Sequence, residues 1–224
     1  MLLGDLFLVW AEQLLRESGL AASALDRAWP AYDQMRSELA MGQFADLVND
    51  ARRLPGFEDV LAVARSKSGN YTVKRPLEIG ALLAGCDAEV LEVFRRYGTL
   101  VGEAFQLRDD LVGVFGTAAA TGEPGGADLW ERKATTVVVL ARDLASPVAR
   151  ERMSEWFSAG ELDAADVERW RELIASTGAR DRAEELIADR VAEALRVVSS
   201  APIEPFLGNL LADMAIRCTE GGTR

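Results

Sequence analysis

Two adjacent carboxylates, Asp109 and Asp110, with Gln106 one helical turn before them, are the residues of this 224-residue sequence whose type and spacing point to chemistry. Neighbouring carboxylates repel unless a hard divalent cation lies between or beside them, and carboxylate oxygens are the ligands that Mg²⁺ takes. The helix that contains the segment GEAFQLRDDLVGVFG carries an apolar series at helical spacing: Leu91, Phe94, Gly98, Val101, Phe105, then Asp109, then Val112. Asp109 thus falls where the period predicts a hydrophobe. A carboxylate aimed into a helical bundle is costly unless paired or metal-bound. An Asp-Asp pair on a solvated helix face costs nothing, and spacing alone leaves both readings open.

Composition narrows the chemistry. The sequence has no histidine, which removes Ser-His-Asp and Cys-His nucleophilic schemes and every His-ligated metal site. The two cysteines, Cys86 and Cys218, have neither metal-like spacing nor the makings of a disulfide framework, so a reducing cytoplasm is the expected setting. A net charge of −11 argues against nucleic acid as a partner. A polyanionic ligand would need local Lys and Arg, or bound cations. With 49% hydrophobic and 27% charged residues, the balance is that of a soluble globular protein. No apolar run reaches the ~18 residues of a membrane span, and Met1–Trp10, with Asp5 and no basic start, does not read as a signal peptide.

The elements that must position these residues read as helices almost throughout. Leu3, Leu6, Phe7, Trp10 and Leu14 recur at helical spacing up to Gly19, and Ala31–Arg53 repeats the pattern through Met35, Leu39, Phe44 and Leu47. Pro55-Gly56 breaks the chain. A short helix over Phe57–Ala64 leads into a polar, turn-prone stretch, Ser66–Pro76, followed by Leu77–Ala84 and a long helix from Asp87 to Phe115. Residues 116–127, GTAAATGEPGGA, read as a mobile loop, after which Asp128 is a plausible N-cap. The run ATTVVVLA at 134–141 reads as a buried helix. Later helices open at Pro147, start at Asp163 with Asp166, run Asp181–Val198 beyond Gly178, and close with Pro205–Cys218. The fold class is all-α, one domain over residues 1–224.

The string FQLRDDLVGVFG (105–116), followed by TGEPGGADLWERKAT (121–135), resembles the second aspartate-rich motif, loop and helix start of the trans-isoprenyl diphosphate synthases, the polyprenyl synthetases of the geranylgeranyl and farnesyl type. GDLFLVWA (4–11), MGQFADL (41–47), KSGNYTVKRPLEIGALLAG (67–85) and TGARDRAEELI (177–187) match in order, so the likeness spans the chain. It implies an isoprenoid-synthase bundle of helices around a central cavity. It also implies Mg²⁺-dependent joining of an allylic prenyl diphosphate to isopentenyl diphosphate. By position, Asp109 and Asp110 would hold Mg²⁺, with Asp128 as a further metal-side carboxylate or an ordinary N-cap. Gln106, Thr72, Asn70 and Lys133 would face substrate, Lys133 reaching diphosphate oxygens. Family members are typically dimers through helices corresponding here to roughly 3–17 and 31–53.

Departures from the pattern carry their own expectations. The family's first aspartate-rich motif precedes GDLFLVWA, so the chain is expected to represent the C-terminal two-thirds of the fold and to be weak or inactive alone. Gly113 stands where the second motif usually has its third aspartate, and Thr117 where an acidic residue is common. Asn70 and Glu123 replace lysines, Trp130 an arginine and Arg132 a glycine. Three functions stay open: part of a working prenyltransferase completed by other sequence, a non-catalytic subunit pairing with an active synthase, or a terpene-cyclase-like or lipid-binding bundle.

Overall fold

A computed structural model describes residues 2–49, 55–117 and 125–220, among which no strand occurs. In chain order the helices are α1 (Leu2–Arg16), α2 (Ala22–Asn49), α3 (Phe57–Ala64), a π-helix (Arg65–Lys74), α4 (Arg75–Ala84), α5 (Ala88–Phe115), α6 (Ala127–Trp130), α7 (Thr136–Leu144), α8 (Pro147–Ser158), α9 (Ala164–Ser176), α10 (Ala179–Ser199) and α11 (Pro205–Thr219). None is long and apolar enough to cross a membrane.

Local chemistry explains most boundaries. Asp87 caps α5 by accepting from the Val90 N–H at 3.0 Å, and Asp163 and Asp166 form a reciprocal capping box at the start of α9. Gly85 and Gly178, both at positive φ, end one helix and open another. Two expectations need correction. α2 starts at Ala22 rather than Ala31 and runs through Pro30, a residue that spoils a helix interior. Burial of Ala24, Ala28, Ala31 and Tyr32 on one face holds that turn in place. The polar stretch after Ala64 is also no turn: it continues α3 as a π-helix, closed by the Arg75 N–H bonding back to the Asn70 carbonyl. The expected mobile loop lies in part, at 118–124, outside the described residues.

α5 is the spine, touching α4, α6, α7, α10, α11 and the π-helix. One core gathers Leu107 and Val114 of α5 with Leu129, Val137–Val139, Trp156 and Ile174. The β-branched run TVVV is helical because all four side chains are fully buried there, so packing overrides propensity. A second core joins Tyr97 and Val101 to Val197, Leu211 and Ala215, with the Tyr97 hydroxyl donating to the Leu211 carbonyl at 2.6 Å.

Charge pins the π-helix. Arg75, 5% exposed, donates to Glu38 of α2 and to the buried Glu78, which also accepts from Arg95 at 2.7 Å. Burial opposes ionisation of Glu38, but the Arg75 hydrogen bonds and charge outweigh it and hold that carboxyl below its usual value. In contrast α1 buries no residue, and Leu3, Phe7, Val9 and Leu14 stand exposed, as do Met41, Phe44 and Leu47 at the end of α2. Arg75→Met removes the cation that Glu38 and Glu78 share, leaving them Asn70 and Arg95 as partners, and is expected to lower stability by about 3 kcal/mol in urea unfolding. Arg95→Met, with a largely solvated guanidinium, costs about 1 kcal/mol or less.

Candidate functional site

The α5 residues Gln106, Asp109 and Asp110 divide unevenly between interior and surface. Asp110 is 6% exposed. Its Oδ1 accepts from Gln106 Nε2 at 2.8 Å, and its Oδ2 accepts from both the backbone N–H (2.9 Å) and the hydroxyl (2.5 Å) of Thr136 at the start of α7. Burial holds the Asp110 carboxyl above its ordinary value, a rise that the Thr136 and Gln106 hydrogen bonds and the Lys67 charge only partly offset. Asp109 is exposed and receives only a long 3.4 Å contact from the same Gln106 amide. The apolar series predicts Asp109 to face inward, and the structure reverses this. Phe105 and Val112, which define that series around Asp109, are only partly buried, whereas the inward line runs Leu107–Asp110–Val114.

Behind Asp110 lies a cavity of about 200 Å³. Val60, Val63 and Ala64 of α3 give it an apolar side, and Asp46 of α2 with Lys67 of the π-helix a polar one. Glu131, Lys133 and Thr135 close it beyond α6. Lys133 Nζ pairs with Glu131 at 2.5 Å and Asp128 at 3.6 Å. Burial works against its charge, and the two carboxylates outweigh that and raise its pKa. Lys67 donates to Asp46 at 2.8 Å. Sequence reasoning missed Lys67; the available signal was its place at the head of the matched segment KSGNYTVKRPLEIGALLAG, one turn beyond Val63 and Ala64. Asn70 instead donates to Glu38 at 3.2 Å, and Thr72 is exposed; neither lines this cavity.

Asp128 is not an N-cap. Gly126, at φ 74°, takes that place, and Asp128 sits inside α6 with its side chain 15% exposed. Its carboxylate occupies the space next to Gly113, where any Cβ would collide with Oδ2. The position at which the motif usually has a third aspartate is therefore filled by an aspartate from another helix. Burial first and then the Asp110 charge push the Asp128 carboxyl up to about 7, with Lys133 opposing and Asp109 adding to the rise. The Asp110 and Asp109 charges both bear on Asp128, and Gln106 Oε1 beside Asp110 is buried without a hydrogen-bond partner. Among the described residues no group of three or more acidic side chains is placed to hold a metal ion, so a cation held by Asp109 would need ligands from beyond this cluster. Nearby, Arg132 replaces the family's glycine at φ 54°, a left-handed conformation that glycine adopts without strain, and its guanidinium donates to the Gly160 carbonyl. Glu123 lies outside the described residues.

The family profile that matches is polyprenyl synthetase, over residues 1–174. A geranylgeranyl diphosphate synthase of Mycobacterium tuberculosis is 32% identical over 170 residues, covering 76% of this chain and 48% of that protein. A (2E,6E)-farnesyl diphosphate synthase of the same species is 35% identical over 138 residues, 62% of this chain and 38% of that protein. The crystal structure of geranylgeranyl pyrophosphate synthase from Corynebacterium glutamicum, complexed with isoprenyl diphosphate and magnesium, superposes with a TM-score of 0.90 at 36% identity. It covers 99% of this chain and 62% of that one, so the chain spans between about half and two-thirds of these two synthases.

With a folded-state pKa near 7 against 3.8 for the ordinary carboxyl, Asp128 keeps a proton on folding that the unfolded chain has lost. That contribution is full below pH 3.8 and is lost as pH rises through 7. The sequence has no histidine to mask the effect. Without divalent cations, stability from urea unfolding should therefore fall by about 2 kcal/mol between pH 5 and 8, and Asp128→Asn should flatten the slope. Gly113→Ala should cost about 1–3 kcal/mol, and adding Asp128→Ala should recover part of it, which a double-mutant cycle measures.

Proposed function

The chain belongs to the polyprenyl synthetase family, and on that premise we propose that it supplies one wall of a trans-prenyltransferase site. This wall receives the diphosphate of an allylic prenyl substrate, and condensation with isopentenyl diphosphate needs an opposing aspartate-rich helix from sequence beyond these residues. The observation that carries the reading is the meeting of Asp110, Lys67 and Lys133 at a cavity with an apolar side, flanked by Asp109 and Asp128.

Each group has a distinct task. Asp109, with its oxygens almost unengaged, is the carboxylate that takes a cation. Asp110, held by Thr136 and Gln106, orients the end of α5 and adds negative charge behind Asp109. A magnesium ion held by Asp109 would supply positive charge opposite the negative charge that builds on a leaving diphosphate. Lys67 and Lys133 exchange their carboxylate partners for phosphate oxygens, stabilising charge that grows in the transition state. Val60 and Val63 keep water from the prenyl chain. A protein with two free cysteines suits a reducing cytoplasm. The exposed apolar faces of α1 and the end of α2 suit a second prenyl-synthase chain, identical or related.

A non-catalytic partner subunit is the second reading. It is favoured by Asn70, where the matched motif has a lysine and where the side chain is committed to Glu38. Calorimetry with pyrophosphate tests the first. Binding to the chain alone should be weak and Mg²⁺-dependent, and Asp109→Ala should weaken it tenfold or more, about 1.4 kcal/mol. Binding that ignores Mg²⁺ or the substitution would overturn the assignment.

A further inference from the structure

Lys67 sits where α2 and the π-helix come closer than side chains allow. A Cβ added to Gly42 of α2 would lie 2.5 Å from the Lys67 backbone nitrogen, 2.8 Å from the Ser66 carbonyl carbon and 2.9 Å from Lys67 Cα. These are main-chain atoms, so the clash has no flexible side chain to absorb it. The opposite face of the π-helix is equally tight. A Cβ at Gly102 of α5 would meet the Gly69 carbonyl oxygen at 2.6 Å, and one at Gly98 would meet Lys74 Cα at 2.5 Å. The π-helix is thus wedged between glycines on both sides, and its depth against α2 is set at Gly42.

One turn along α2 from Gly42, on the same face, is Asp46. Its Oδ1 accepts from Lys67 Nζ at 2.8 Å, and both side chains line the cavity behind Asp110. We infer that Gly42 and Asp46 are a matched pair of positioning residues for Lys67. Gly42 seats its backbone against α2, and Asp46 holds its ammonium over the cavity until an anionic ligand takes it. A side chain at position 42 would lift the π-helix away from α2. The ammonium would then leave both Asp46 and the cavity rim. The role of Lys67 towards diphosphate rests on the function proposed above, whereas its placement by Gly42 and Asp46 does not.

Two readouts separate the two. The first is the rate at which a small acetylating reagent modifies Lys67, followed by mass spectrometry on the full chain. Gly42→Ala and Asp46→Asn should each raise that rate about fivefold. Gly80→Ala should leave it unchanged, since a Cβ there meets nothing within 4 Å. The second is Mg²⁺-dependent pyrophosphate affinity. Gly42→Ala should reduce it in the parent chain and have no further effect in a Lys67→Met background. Unchanged Lys67 acetylation in folded Asp46→Asn overturns the inference, and so does an additive loss of affinity in the double variant. If Gly42→Ala fails to fold, Asp46→Asn decides. Raised acetylation with no pyrophosphate binding by the parent chain would uphold the positioning and sink the diphosphate role.

Discussion

A carboxylate at 6% exposure has to be satisfied from its own surroundings, and the way Asp110 achieves this organises the region around it. Gln106 approaches along α5, and Thr136 offers both its backbone N–H and its hydroxyl from α7. The two helices are thereby tied at the point where the cavity begins. An isolated buried charge is too costly to persist, so the tie is a condition for having a carboxylate there at all. Asp109, one residue on around the helix, is released towards solvent by the same geometry. Adjacent aspartates thus divide into one that anchors and one that stays available.

The second constraint is close approach of main chain to main chain. Gly42, Gly69, Gly98 and Gly102 let the π-helix lie between α2 and α5 with backbone atoms in contact. The buried Arg75 then fastens its C-terminal end to Glu38 and Glu78. Packing sets how deep the segment lies, and the ion pairs set where it ends. Together they place Lys67 at the cavity while Asn70 turns away to Glu38.

Departures from the family pattern look different once distances are known. Read along the chain, Gly113 is a missing carboxylate. In three dimensions its bare α-carbon makes room for Asp128, which brings a carboxyl group to the same neighbourhood from α6. Arg132 is less readily rationalised: it holds a left-handed conformation at some cost in strain, and its guanidinium contact with the Gly160 carbonyl is the visible compensation. Trp130, standing where the pattern has arginine, is exposed, and nothing in the structure explains it.

The features legible in the sequence were those set by short-range chemistry. The Asp87 cap, the Asp163–Asp166 box, the stops at Gly85 and Gly178 and the long α5 follow from hydrogen bonds and backbone preferences spanning a few residues, so a linear reading finds them. The ordered motifs also pointed to the polyprenyl synthetase family. Which aspartate faces inward, whether Lys67 or Asn70 meets the cavity, and what fills the space beside Gly113 were decided by contacts between residues 15 to 32 positions apart, such as Gly113 with Asp128 and Asn70 with Glu38. Helical periodicity fixes a side chain's direction only to within a fraction of a turn. That uncertainty is enough to put Asp109 rather than Asp110 on the apolar line, and it is removed when Thr136 arrives from another helix to bond Asp110.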